Sequence, residues 1–175
     1  MAGDRIADIV GQWGRERPDL DPTPLLIIGR IQQLAAVLDE ALRPPFAAAD
    51  LGNGDFDVLA ALRREGEPYT LTAGQLSQRM LVTTGAVTKR VDRMIARGLV
   101  SRSVSAADAR ARVVGLTPTG VVLTDRLIEQ HLANEAAILR GLTDSDRRTL
   151  ERLLAAMNRT LADGEFGPGG GGHDG

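Results

Sequence analysis

Cysteine is absent from the 175 residues. That removes disulfides, thiolate nucleophiles, thiol-based redox sensing and cysteine-ligated metal centres together. Histidine is scarce: His131 and His173 do not form a metal-spaced pair. Aromatic residues make up 3% of the chain, and Trp13 is its one tryptophan. No run of 18 apolar residues is present to span a bilayer. The opening MAGDRIADIVGQW carries acids and lacks the uninterrupted apolar core of a secretory signal. There is no Ser–His–Asp motif and no phosphate-cradling glycine loop, and the glycines near the C-terminus lack a strand–helix context. These absences point away from an enzyme, a cofactor and a membrane. They lead to the expectation of a soluble cytoplasmic protein of one domain, long enough to bury a core without staples.

The charge is nearly balanced at −2 but unevenly placed. Residues 79–112 hold eight bases, Arg79, Lys89, Arg90, Arg93, Arg97, Arg102, Arg110 and Arg112, against Asp92 and Asp108. That stretch is +6 and the remainder −8. Such polarity concentrates a positive field on one side and repels polyanions elsewhere.

Hydrophobic spacing organises the chain. Ile6, Ile9, Val10 and Trp13 predict a short amphipathic helix from Asp4 to Arg17. Pro18, Pro22 and Pro24 stop it, and Asp21 is placed to cap the next. Pro24 to Arg43 is apolar on more than one face, which predicts a helix buried on two sides, ended by Pro44 and Pro45. The small-residue stretch AAADLGNG leads to a helix from about Asp55 to Glu65. Two short helices follow, one capped by Thr72 and one from Thr84 to Arg97, closed by a left-handed Gly98. The period then changes: LVSRSVS, a turn AADARA and RVVGLT read as a β-hairpin with a basic tip. A long helix to about Arg140 and a last one from Asp144 to Ala162 complete the order, with Thr143 and Asp146 forming a capping arrangement. Seven glycines among the last twelve residues predict a disordered tail.

Two helices followed by a two-stranded hairpin describe a winged helix-turn-helix, and the positive charge falls on its second helix and wing. At 100° per residue Val87, Val91 and Met94 face inward, while Gly85, Ala86, Lys89 and Arg93 face away. Small residues there allow close approach to a duplex, and Lys89 and Arg93 reach phosphates or guanine edges. Thr83, Thr84 and Thr88 add hydroxyls near the helix start, where free N–H groups favour phosphate. In the wing, Arg110 and Arg112 are placed for a narrow minor groove, with Asp108 holding the tip.

The run TTGAVTKRVDRMIARGLVSRSVSAADARARVVGLTPTG resembles the winged-helix core of the multiple antibiotic resistance regulator (MarR) family. Its D-x-R…LT-x-x-G signature stands here as Asp108, Arg110, Leu116, Thr117 and Gly120. The resemblance implies a mainly α fold with a small β-hairpin, in which N- and C-terminal helices form a dimerisation body. It implies a homodimer on a palindromic operator of double-stranded DNA, associated with the nucleoid, usually repressing and released by a small ligand. The expected layout is an extension helix over 1–20, dimerisation helices over 21–50 and 117–163, a DNA-binding lobe over 51–116, and the tail 164–175. The N-terminal helix with Trp13, the following ERPDLD, and FDVLAALRR resemble the branch containing urate-responsive and PecS-like regulators. By that resemblance Trp13, Asp57, Arg90 and Arg102 line a crevice for a small anionic effector, such as urate, another purine or a tricarboxylate. A stacking face and two forked donors suit such a molecule. His131, mid-helix beside Leu132, is expected to pack or to touch a dimer partner and not to sense pH or bind a metal. A constitutive winged-helix module that senses nothing stays open as the alternative.

Overall fold

The computed structural model describes residues 4–52, 54–80, 84–104 and 112–163, without the side chains of Thr84 and Ala86. Contacts divide the chain into two units, 1–131 and 132–175.

The first unit opens with α1 (Arg5–Glu16) and α2 (Leu25–Leu42). Asp4 caps α1 by accepting the Ala7 N–H at 3.2 Å, and its carboxylate also pairs with Arg30 of α2. Those two interactions, the arginine first, hold the Asp4 carboxyl below the ordinary aspartate range. Where the helices cross, Ile6 lies against Gly29, at which a Cβ would come within 3.2 Å of it. Asp21 does not cap α2 as expected. Its carboxylate takes the N–H and hydroxyl of Thr23 at 3.0 and 2.9 Å, and α2 begins with no side-chain cap. Pro44 and Pro45 do end α2, but they also open a further helix, α3 (Pro44–Ala48), which the sequence reading treats as linker. Proline lacks an N–H, and the first turn of a helix has no use for one.

The core gathers around α4 (Asp55–Arg64), whose Val58, Leu59 and Leu62 are wholly buried. After it come β1 (Thr70–Thr72), α5 (Ala73–Met80), α6 (Thr84–Ala96), β2 (Val100–Val104), β3 (Arg112–Leu116) and α7 (Pro118–Ile138). Thr72 and Gln75 cap α5 reciprocally: the Gln75 N–H donates to Thr72 Oγ1 at 3.2 Å and the Thr72 N–H to Gln75 Oε1 at 2.8 Å. Gly98 closes α6 at φ +66°, the left-handed conformation expected of it. Val87, Val91 and Met94 are buried with Leu71, Leu76, Leu99, Val100, Val114 and Leu127. Each such side chain contributes about 1.5–3 kcal/mol by leaving water.

The hairpin is one part of a three-stranded antiparallel sheet, in the order β1-β3-β2. Val114 lies opposite Leu71 on one side and Arg102 on the other. The LT-x-x-G signature joins this sheet to α7. Thr117 Oγ1 donates to Gly98 O at 2.7 Å and accepts the Gly120 N–H at 3.0 Å.

The expectation that α2 is buried on two sides is not met within one chain. Neither α1 nor α2 contains a buried residue, and Ile27, Leu34 and Val37 of α2 are exposed. Among the described residues, one apolar face of α2 is left uncovered.

The second unit takes in the rest of α7 from Leu132, a 3-10 turn (Leu139–Gly141) and α8 (Asp144–Ala162). Thr143 and Asp146 form the expected capping box. No residue of α8 is buried, and Leu150, Leu153, Leu154 and Leu161 are exposed.

Candidate nucleic-acid interface and adjoining cleft

Helix α6 buries its apolar stripe and leaves Gly85, Thr88 and Lys89 exposed, the division predicted from its spacing. Arg112 is exposed at the start of β3. Thr83, Asp108 and Arg110 lie outside the described residues, as does the side chain of Thr84. Thr88 and Lys89 therefore share the open face of the helix, with Arg112 paired to Val104 at the turn end of the hairpin strands.

Arg93 departs from its expected place. Its Cβ leaves α6 on the predicted side, but the guanidinium bends back to Asp55 Oδ1 at 2.5 Å. The Asp55 side chain is 5% exposed, and its other oxygen accepts the Gly52 N–H at 2.9 Å. Arg90 on α6 and Arg97, just past its end, reach the same segment. Arg97 donates to the carbonyls of Asp50 and Ala49 at 2.5 and 2.7 Å. Arg90 lies on Gly54, where a Cβ would fall 2.2 Å from its Cζ and where φ is +77°. Glycine alone leaves room for that guanidinium and accepts that backbone without strain.

Gly54 also lines a cleft of about 220 Å³ with Asp39, Arg43, Phe46, Gly52 and Asp57. Asp57 is exposed at this cleft, and Arg43 is held by Asp39 at 2.6 Å. Phe46 and Phe56 stack at 4.5 Å on its wall, with His131 tilted against both, which gives His131 the packing role expected of it. Of the four effector candidates, Asp57 lines this cleft together with Gly54, on which Arg90 lies. Arg102 does not join them; it pairs with Asp92 at 2.8 Å. Trp13 lines a separate, mostly apolar cleft with Leu20, Pro22, Pro24 and Leu25. Within one chain, the four are not a single constellation.

Asp55 was not singled out by its sequence position, where an acid in a first helical turn is explained by the helix dipole. Nothing local signals a partner 38 residues away.

Comparison with known proteins agrees with this geometry. The MarR family model matches residues 49–111, from the end of α3 into the wing. The HTH-type transcriptional regulator PecS of Dickeya dadantii (strain 3937) is 35% identical over 156 residues, covering 89% of this chain and 94% of its own. The chain belongs to the MarR family. The multiple antibiotic resistance protein MarR of Escherichia coli (strain K12) is 30% identical over 126 residues, 70% of this chain and 81% of that one. Among solved structures, a MarR family protein from Bacillus stearothermophilus matches with a TM-score of 0.67 at 25% identity, over 82% of this chain and 98% of its own. This MarR-family protein, of the PecS-like branch, is a DNA-binding transcriptional regulator and not an enzyme.

Proposed function

We propose that this regulator represses from a palindromic operator as a cytoplasmic, nucleoid-bound homodimer and lets go when a small anionic effector enters the cleft beside Arg90. The observation that carries the effector reading is on Arg90 itself. Its Nη1 is buried and has no hydrogen-bond partner among the described residues. A buried N–H without an acceptor costs about 1–3 kcal/mol. A carboxylate or oxyanion removes that cost. Arg90 sits on α6, so an anion that recruits it biases the helix presented to DNA, which is a shift between two populations. Asp57, at the same cleft, offers an acceptor to the N–H of a planar heterocycle.

In this reading Lys89 and Thr88, with Thr83 and Thr84 at the helix start, meet phosphates and base edges in the major groove. Arg110 and Arg112 serve the wing. Segments 21–50 and 117–163 form the dimer body, supported by the uncovered apolar side chains of α2, α7 and α8, among them Leu34, Val122 and Leu153. Trp13 and Arg102 belong to the effector site through the dimer, whose second chain supplies walls that one chain lacks.

The test is a gel shift with DNA from upstream of the protein's own gene, titrated with urate, xanthine, citrate and trans-aconitate. Discrete binding released by one of these, and no longer released in Arg90→Gln, is the expected result. Binding that none of them releases would favour the constitutive, non-sensing alternative.

A further inference from the structure

Helix α6 carries its cations in two sets. Lys89 faces solvent, whereas Arg90 and Arg93, with Arg97 just past the helix end, follow one another along an adjoining side and end on the segment that leads into α4, at Ala49, Asp50, Gly54 and Asp55. Two residues that these arginines reach are left-handed, Asp50 at φ +54° and Gly54 at φ +77°. The fixed point among these contacts is Asp55. Both its oxygens are engaged, one by a backbone N–H of the segment and one by Arg93. Such a buried acid has no means of touching a polyanion, yet it decides where Arg93 goes.

We propose that Asp55 is a positioning residue for DNA recognition, which through Arg93 sets the rotation of α6 about its own axis. Arg93 is then a clamp on the recognition helix and not a phosphate contact. This deepens the operator reading above and rests on α6 being the helix that enters the groove. The apolar stripe of α6 draws the helix onto the core, but hydrophobic attraction is non-directional. A charge-assisted bond to a fixed carboxylate is directional and resists rotation. Two copies of α6 must meet half-sites about 34 Å apart, so a small rotation in each swings Lys89 away from its phosphate or base edge.

The experiment measures affinity for the upstream DNA over a salt series for wild type, Asp55→Asn, Arg93→Ala and the double variant. Thermal melts establish that each is folded at the assay temperature. Asparagine keeps an acceptor for the Gly52 N–H, so the segment retains its turn. Each single variant is expected to raise Kd about tenfold, the double variant no further, and the salt dependence to keep its slope. A role in stability alone would move the melting temperature and leave the Kd of folded protein unchanged, which would overturn the proposal. So would a slope reduced by about one in Arg93→Ala, the mark of a lost phosphate contact. Should Asp55→Asn not fold, the half-exposed Arg93→Ala decides alone by the same slope criterion. Failure of wild type to bind the DNA at all would overturn the operator reading on which the clamp rests, and is distinct from either result above.

Discussion

At Gly120 the backbone of α7 comes so close to Leu99 that a methyl group would lie 2.0 Å from its carbonyl oxygen. The obstacle is main chain, which cannot swing aside as a side chain would. Gly120→Ala is therefore expected to cost about 2–3 kcal/mol, measured by urea denaturation, because helix and sheet must separate to admit it. Thr117, three residues earlier, shows the same economy: one hydroxyl donates to Gly98 and accepts from Gly120. This much was legible, since the spacing of Leu116, Thr117 and Gly120 is local and survives as a motif. Arg93 was not. A helical wheel gives the direction in which Cβ leaves the helix, but a guanidinium lies several bonds farther out and can return across the helix to a strong partner. The pairing of Arg102 with Asp92 was not legible for a related reason, because Asp92 sits on a different element, brought near by the turn at Gly98.

Among the elements, the long helices were readable, as were α5 and the hairpin strands β2 and β3, but α3 and β1 were not. Helices such as α2, α7 and α8 repeat their apolar period often enough to be unmistakable. The five residues of α3 and three of β1 do not complete a pattern. Pro44 and Pro45 mark the end of one helix and the start of another by the same chemistry, so sequence alone favours the first meaning. Helix α1 offers a direct test of its own attachment. The pairing with Arg30 lowers the Asp4 pKa, so the carboxylate contributes stability at neutral pH that is lost as pH falls through and below the ordinary aspartate range. Trp13, the only tryptophan, sits on this helix and reports the event. Its emission is expected to hold steady from pH 7 downward until that range and then shift. In Asp4→Asn the shifted emission should already be present at pH 7, which separates Asp4 from Asp21 beside the tryptophan.

The whole molecule leaves more apolar surface open than one chain can use. Leu34 is 57% exposed on α2, so changing it should alter the stability of a lone chain by no more than about 0.5 kcal/mol. In the proposed dimer the same position lies in the body. Leu34→Glu is expected to move the protein from dimer to monomer in sedimentation velocity and to weaken operator binding with it. An unchanged dimer would place the interface elsewhere. At this scale too, β3 has a consequence beyond pairing. The chain leaves the sheet at Thr72, makes both helices α5 and α6, and returns at Val100, with both ends bonded to the one strand between them. The helix pair is thereby closed into a ring without a covalent link, with β3 as its clasp. A peptide cut from α5 and α6 alone would be an opened ring, and a one-residue deletion within β3 would misalign both ends at once by turning Val114 out of the core. The strand that carries the wing is therefore also the part that keeps the reading helix in its loop.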